Sequence, residues 1–137
     1  MGLDYGSKTV GVALTDPLRI TSQPFETVAR QTENKLRKTL ARLEQIVHEY
    51  EVSQIVMGLP LNMDGSRGER ALKTLEFKEK LEKRLGMTVE MQDERLTTVE
   101  ADSLLDEMNI SRSDRKQYID SIAASIILED YMNNIKK

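Results

Sequence analysis

The chain of 137 residues, 39% hydrophobic and 31% charged, has the size of one ordinary domain, long enough to bury about two-thirds of the surface its unfolded form exposes. It has no cysteine and a single histidine, His48, which excludes disulfides, thiolate metal sites, cysteine nucleophiles and histidine-based triads, and agrees with a reducing, cytoplasmic setting. Its formal charge of −3 argues against coating nucleic acid through bulk charge, and no stretch nears the roughly 18 apolar residues of a membrane span, so no membrane partner is expected.

Apolar and small residues alternate over 1–15 around Gly2, Asp4, Gly6 and Gly11, predicting two short strands joined by a glycine turn. Leu3-Asp4-Tyr5-Gly6 closes the first, and Val10-Gly11-Val12-Ala13-Leu14 forms the second. Only two residues precede Leu3, so the natural chain is expected to begin a few residues earlier. Asp16-Pro17 ends the second strand, because proline lacks the amide donor, and a third strand is expected over 23–28. Over 33–50, Leu36, Leu40, Leu43, Ile46, Val47 and Tyr50 recur at three- and four-residue steps, the mark of an amphipathic helix. The apolar run 54–60 reads as a buried strand bounded by Pro60. Polar residues with Gly65 and Gly68 make 62–69 a mobile loop by expectation.

A second helix is expected over 70–85, with Ala71, Leu72, Leu75, Leu81 and Leu85 inward and Gly86 as its stop. A strand over 88–92 then runs into Asp93-Glu94-Arg95-Leu96-Thr97-Thr98. The capping box Thr97-x-x-Glu100 opens a helix with Ala101, Leu104, Leu105 and Met108 inward. The last helix, signalled by Ser111-x-x-Asp114, should bury Ile119, Ile122, Ala123, Ile126 and Ile127. Strands, helix, strand, helix, strand and two helices are the order of an α/β sheet with parallel members, here one domain over 1–137. Such sheets bind ligands beyond the carboxyl ends of their strands, where Asp4, residues 60–65 and Asp93-Glu94 fall.

A carboxylate such as Asp4 near the end of a central strand is costly to desolvate unless paired or metal-bound; capping the hairpin turn is the plainer alternative. Strand alternation points Asp93 and Glu94 to opposite sides, so one faces a site while its neighbour caps a turn. Asp120 borders the apolar face of the last helix beside Ala123 and Ala124, small enough for close approach to the sheet, although an exposed helical aspartate would fit the same spacing. Converged, Asp4, Glu94 and Asp120 would form an all-carboxylate site suited to Mg²⁺ or Mn²⁺, where metal-activated water removes the need for a protein nucleophile. Lys8, Arg67, Arg70 and Arg95 flank that site, Ser7, Thr97 and Thr98 add hydroxyls, and Arg112, Arg115 and Lys116 lead into Asp120 as a basic cluster. Surface ion pairing or helix capping is the alternative for these residues, and His48 reads as a surface residue.

Four segments, in order and over nearly the whole chain, resemble the signature blocks of the YqgF family, also called RuvX. They are Gly2-Leu3-Asp4-Tyr5-Gly6-Ser7-Lys8, Gly58-Leu59-Pro60-Leu61-Asn62-Met63-Asp64-Gly65, Asp93-Glu94-Arg95-Leu96-Thr97-Thr98 and Asp120-Ser121-x-Ala123-Ala124. The resemblance implies an α/β, RNase H-like fold with a five-stranded mixed sheet flanked by helices, and a nuclease working with Mg²⁺ or Mn²⁺. It places the family's catalytic, metal-holding acids on Asp4, Glu94 and Asp120, with Asp93 in reserve, and leaves Lys8, Arg67, Arg95, Thr97 and Arg115 as nucleic-acid contacts. The related resolvase branch carries another helix acid where this chain has Gln117, so three carboxylates are expected rather than four.

The implied reaction is phosphodiester hydrolysis in structured RNA or branched DNA by a monomer or homodimer. Processing of the 5′ end of pre-16S ribosomal RNA comes first, and resolution of four-way DNA junctions is the alternative. A non-catalytic nucleic-acid-binding module of the same fold is a further alternative. Actin-like ATPases and sugar kinases share the likeness of Gly2-Leu3-Asp4-x-Gly6-Ser7 but use two domains and a second phosphate loop, which this chain lacks.

Overall fold

The computed structural model describes residues 1–16, 18, 21–62, 64–94, 103–109 and 111–135, the side chains at 112–117 and 135 excepted. Five strands form one sheet: β1 (Gly2–Tyr5), β2 (Thr9–Thr15), β3 (Ser22–Ala29), β4 (Ile55–Leu59) and β5 (Val89–Asp93). Their spatial order is β3-β2-β1-β4-β5. The hairpins pair β1 with β2 and β2 with β3 antiparallel, whereas β4 and β5 are returned by helices and run parallel to β1. Three carboxyl ends, those of β1, β4 and β5, therefore open on the same edge. Pro24 sits in the edge strand β3, beside a register shift between Val12 and Ala13, a position where its missing amide donor is tolerated.

Helices α1 (Arg37–Glu49), α2 (Glu69–Leu85) and α4 (Arg112–Ile135) flank the sheet, and a short α3 occupies 103–107. Leu3, Val10, Val12, Ile55 and Met57 on one face of the sheet pack with Leu43, Ile46, Phe77 and Leu81 from α1 and α2. Ala13 and Val56 on the other face pack with Ala124, Ile127, Leu128 and Met132 of α4. Leu105 of α3 closes a smaller cluster with Ile122 and Ala123. Among the described residues no helix is long and apolar enough to cross a membrane.

Several expected details shift. Helix α1 starts at Arg37 rather than Glu33, because 32–36 forms hydrogen-bonded turns and the Glu33 carboxylate is held by Arg70 at 2.6 Å. Tyr50 lies just past α1, 48% exposed, with its ring edge-on to Phe25. Leu72 is exposed, since the buried stripe of α2 runs through Ala71, Thr74, Phe77 and Leu81, one helical step round. Leu104 and Met108 likewise face outward, and only Leu105 of that set is buried; Ala101 lies outside the described residues. Gly86 ends α2 in the left-handed conformation, φ 66°, as its position after the helix requires. The loop expected to be mobile is tied internally. Asp64 Oδ1 accepts from the Ser66 amide and hydroxyl, and Asn62 exchanges backbone bonds with Gly65 and Ser66.

Candidate active site

Strand alternation places Gly2 and Asp4 on the α4 face of the central strand, and the register sets Gly11 of β2 directly across from Asp4. On the other side Leu3 pairs with Met57, which brings Gly58 of β4 alongside Asp4. The carboxylate is thus bordered by two residues without side chains. Glycine here serves close approach rather than unusual torsion. A Cβ on Gly11 would overlap the main-chain carbonyl of Asp120 in α4, so that helix lies almost on the sheet. A Cβ on Gly58 would stand 2.6 Å from the Glu94 carboxyl carbon and 2.5 Å from Ile127 Cδ1. The space above Asp4 is accordingly filled from one side by Glu94 and from the other by Asp120.

Glu94 follows β5 directly, its amide donating to the Leu59 carbonyl at 3.2 Å, so the ends of β4 and β5 fix where its side chain starts. Asp93, the alternative acid, is exposed. Asp120 is anchored by the Thr9 hydroxyl, which donates to its Oδ2 at 2.7 Å across 111 positions of sequence. Thr9 belongs to none of the motifs, and the sequence pattern assigns Gly11 and Gly58 to strands or a signature block without their role as spacers. Glycine recurring inside strands beside acidic positions is the signal that could have found the spacers.

Burial dominates the electrostatics. Asp4 and Glu94 keep an edge at the surface while packed groups strip water from their carboxyls. Asp4 is pushed up to about 6 by this desolvation and by the Asp120 charge, against the pull of its hydrogen bond with Glu94. Desolvation, then the Asp4 charge and that same hydrogen bond, with a smaller push from Asp93, raise Glu94 to about 9. The two titrate as a pair, and burial with mutual repulsion favours a proton held between them near neutrality.

A proton held more tightly in the folded chain stabilises it fully below the unfolded value near 4.5, and that stabilisation is lost as pH rises towards 9. In chelator, the melting temperature is therefore expected to fall across this range. Glu94→Gln, which keeps a donor to Asp4 without an ionisable proton, should flatten the fall and exceed wild type by on the order of 2 kcal/mol at pH ~8. Thermal melts of both proteins over about pH 5 to 9 check this, and parallel curves would refute it.

Asp4, Glu94 and Asp120 offer only hard oxygen donors, the chemistry that suits Mg²⁺ or Mn²⁺. Among the described residues no three acidic or histidine side chains already close on one point as ligands. The chemistry of this donor set, carboxylate oxygens crowded at one strand edge, is nevertheless of the kind a hard divalent cation takes.

Of the expected nucleic-acid contacts, Lys8 lies in the β1–β2 turn and Arg67 in the loop before α2, both exposed. Arg95 and Thr97 fall outside the described residues, and Arg115 belongs to α4 with its side chain outside them. Arg70 turns back to Glu33 and Tyr5. His48 is exposed on α1. A cavity of about 530 Å³, lined by Met1, Leu14, Gln54, Leu128, Tyr131 and Met132, sits at the opposite end of the sheet, so hollow volume and acidic chemistry do not coincide here.

A mixed sheet in the order β3-β2-β1-β4-β5, with acids at the ends of its central parallel strands and on the helix covering them, defines an RNase H-like architecture. Thermus thermophilus RuvC in complex with a Holliday junction substrate matches it with a TM-score of 0.56, over 98% of this chain and 93% of that one. At 12% sequence identity that likeness concerns the fold. A family model described as RuvX, Holliday junction resolvase, matches residues 1–134, and the chain belongs to that family. A protein of Lachnospira eligens, provisionally named pre-16S rRNA nuclease, is 56% identical over 137 residues, covering 100% of this chain and 98% of its own length. One of Halothermothrix orenii with the same name is 47% identical over 133 residues, with coverages of 97% and 93%.

Proposed function

We propose that this chain, as one RNase H-like domain over 1–137, hydrolyses phosphodiester bonds of structured nucleic acid, and that its physiological reaction is processing of the 5′ end of pre-16S ribosomal RNA in the cytoplasm. The observation that carries the reading is the crowding of Glu94 and Asp120 around Asp4, over the spacer glycines Gly58 and Gly11, at the common carboxyl edge of β1, β4 and β5. Structural carboxylates do not ordinarily crowd in this way, because each raises the cost of ionising the other. The names of the relatives in Lachnospira eligens and Halothermothrix orenii favour ribosomal RNA as substrate.

In this reading Asp4, Glu94 and Asp120 are the catalytic acids and together hold Mg²⁺ or Mn²⁺. Bound there, such an ion supplies an activated water and neutralises charge on the phosphate. Thr9 keeps Asp120 turned to the site, and the close seating of α4 excludes bulk water. Lys8, Arg67, Arg95, Thr97 and Arg115 grip backbone phosphates around the cut. A single cut in a precursor RNA needs one site, so a monomer suffices. The family's description as Holliday junction resolvase supports a second substrate, whose two symmetric cuts would require a two-fold dimer.

The test is a cleavage panel with purified protein on a pre-16S 5′ leader RNA and on a four-way DNA junction, each with Mg²⁺, Mn²⁺ or EDTA. Metal-dependent cutting of the RNA is the expected result. Cutting of the junction alone would move the assignment to resolution. Tight binding with no cutting under any metal would replace the nuclease by a binding module.

A further inference from the structure

At the end of β1 the chain passes from Asp4, facing α4, to Tyr5, facing α1 and α2. Behind the acidic site, on the same carboxyl edge of the sheet, Tyr5 organises a basic cluster. Its ring stacks on Phe77 with centroids 4.4 Å apart, the Arg30 guanidinium lies 4.8 Å from its centroid, and that of Arg70 lies 5.6 Å away. The two cations come from separate elements, Arg30 just after β3 and Arg70 from the first turn of α2. Glu33 balances one of them through the 2.6 Å ion pair with Arg70. Arg30 spends its bonds on main-chain carbonyls, Nη2 to Gly6 at 2.5 Å and Nε to Glu33 at 3.3 Å, neither of which cancels its charge.

Each guanidinium also retains an unmet demand. Among the described residues, Arg30 Nη1 and Arg70 Nη2 are both buried and without a hydrogen-bond partner. Tyr5 attracts the cations through its ring and engages Arg30 through its hydroxyl, yet neither Arg30 Nη1 nor Arg70 Nη2 gains an acceptor in good geometry there. Two arginines on one ring, each with one unpaired Nη, and a local excess of positive charge match the oxygen pattern of a phosphate. The Arg70 side chain is 42% exposed, which leaves it within reach of an anion over the first turn of α2.

We propose that Arg30 and Arg70, mounted on Tyr5, form a phosphate seat for a nucleotide flanking the one that is cut. A strand laid along the carboxyl edge of the sheet passes over Asp4 on one side of β1 and over Tyr5 on the other. The seat thereby fixes the direction in which the strand enters the acidic site. It rests on the reading of the chain as a nucleic-acid-cleaving protein, and the two fail differently.

The experiment measures binding of labelled pre-16S leader RNA and four-way DNA junction in EDTA, where no cutting intervenes, across a salt series. Arg30→Gln and Arg70→Gln are each expected to weaken binding about fivefold to tenfold and to lower the slope of log K against log salt by about one. Glu33→Gln, which frees the Arg70 fork, is expected to tighten binding about threefold, and it keeps the seat testable should an arginine variant fold poorly. Unchanged affinity and slope in the arginine variants, with lowered melting temperatures, would make the cluster a structural clamp and overturn the seat alone. Loss of affinity in Glu33→Gln would also overturn it. Wild-type protein that binds neither nucleic acid would sink the nuclease reading, and the seat with it.

Discussion

Asp4→Asn is expected to reduce the single-turnover cleavage rate by about a thousandfold or more, a loss of at least ~4 kcal/mol of transition-state stabilisation, while nucleic-acid affinity stays within about threefold. Asp4 is the group both other acids act upon: it accepts from Glu94 and feels the charge of Asp120. Asparagine keeps its shape and removes its charge. Because that charge is repelled by Asp120 and stripped of water, the variant should melt at a higher temperature than wild type at neutral pH. Lost activity together with gained stability separates a functional carboxylate from a turn-capping one, whose removal would lower both stability and activity. The pair of measurements is cleavage under single-turnover conditions and a thermal melt of the same preparation.

Gly11→Ala should be the most damaging single-methyl change in the sheet, costing on the order of 3 kcal/mol. Alanine in a strand interior ordinarily gains about 0.5–1 kcal/mol over glycine, so the sign itself is informative. The added carbon meets main chain, the Asp120 carbonyl, and main chain can yield only if α4 lifts away from the sheet. Lifting α4 also carries Asp120 off Thr9 and away from Asp4. Gly58→Ala differs in kind. Its new carbon meets the ends of Glu94 and Ile127, which can swing, so about 1 kcal/mol of stability is expected to go, along with most of the activity as Glu94 is displaced. Urea unfolding and cleavage assays on both variants check the contrast; equal stability losses would refute it.

Much of this architecture is legible in local pattern. The alternation around Gly2 to Leu14, the apolar run before Pro60 and the leucine spacing of the first two long helices each specify an element by periodicity, and Gly86 marks where α2 stops. The choice of buried face is less legible. Leu72, Leu104 and Met108 satisfy the same three- and four-residue steps as their buried neighbours, and it is packing of Phe77 on Tyr5 and of Leu105 on Ile122, partners distant in sequence, that selects the stripe one step round. The acids divide similarly. Asp4 and Glu94 stand out because strand ends are where charge is least expected, and it is the tertiary structure that leaves Asp93 exposed while setting Glu94 against Asp4. Thr9, Gly11 and Arg30 leave little trace, because each acts on a partner brought near only by tertiary structure.

The contact between Thr9 and Asp120 has a temporal meaning as well as a spatial one. During synthesis the hairpin of β1 and β2 emerges early, yet Asp120 follows more than a hundred residues later, on the final helix. Until that helix has left the ribosome, Asp4 and Glu94 have no third acid and the glycine floor beneath them is bare to water. A chain truncated anywhere before α4 should therefore lack the partner that Thr9 holds and, on the function proposed above, cleave no nucleic acid.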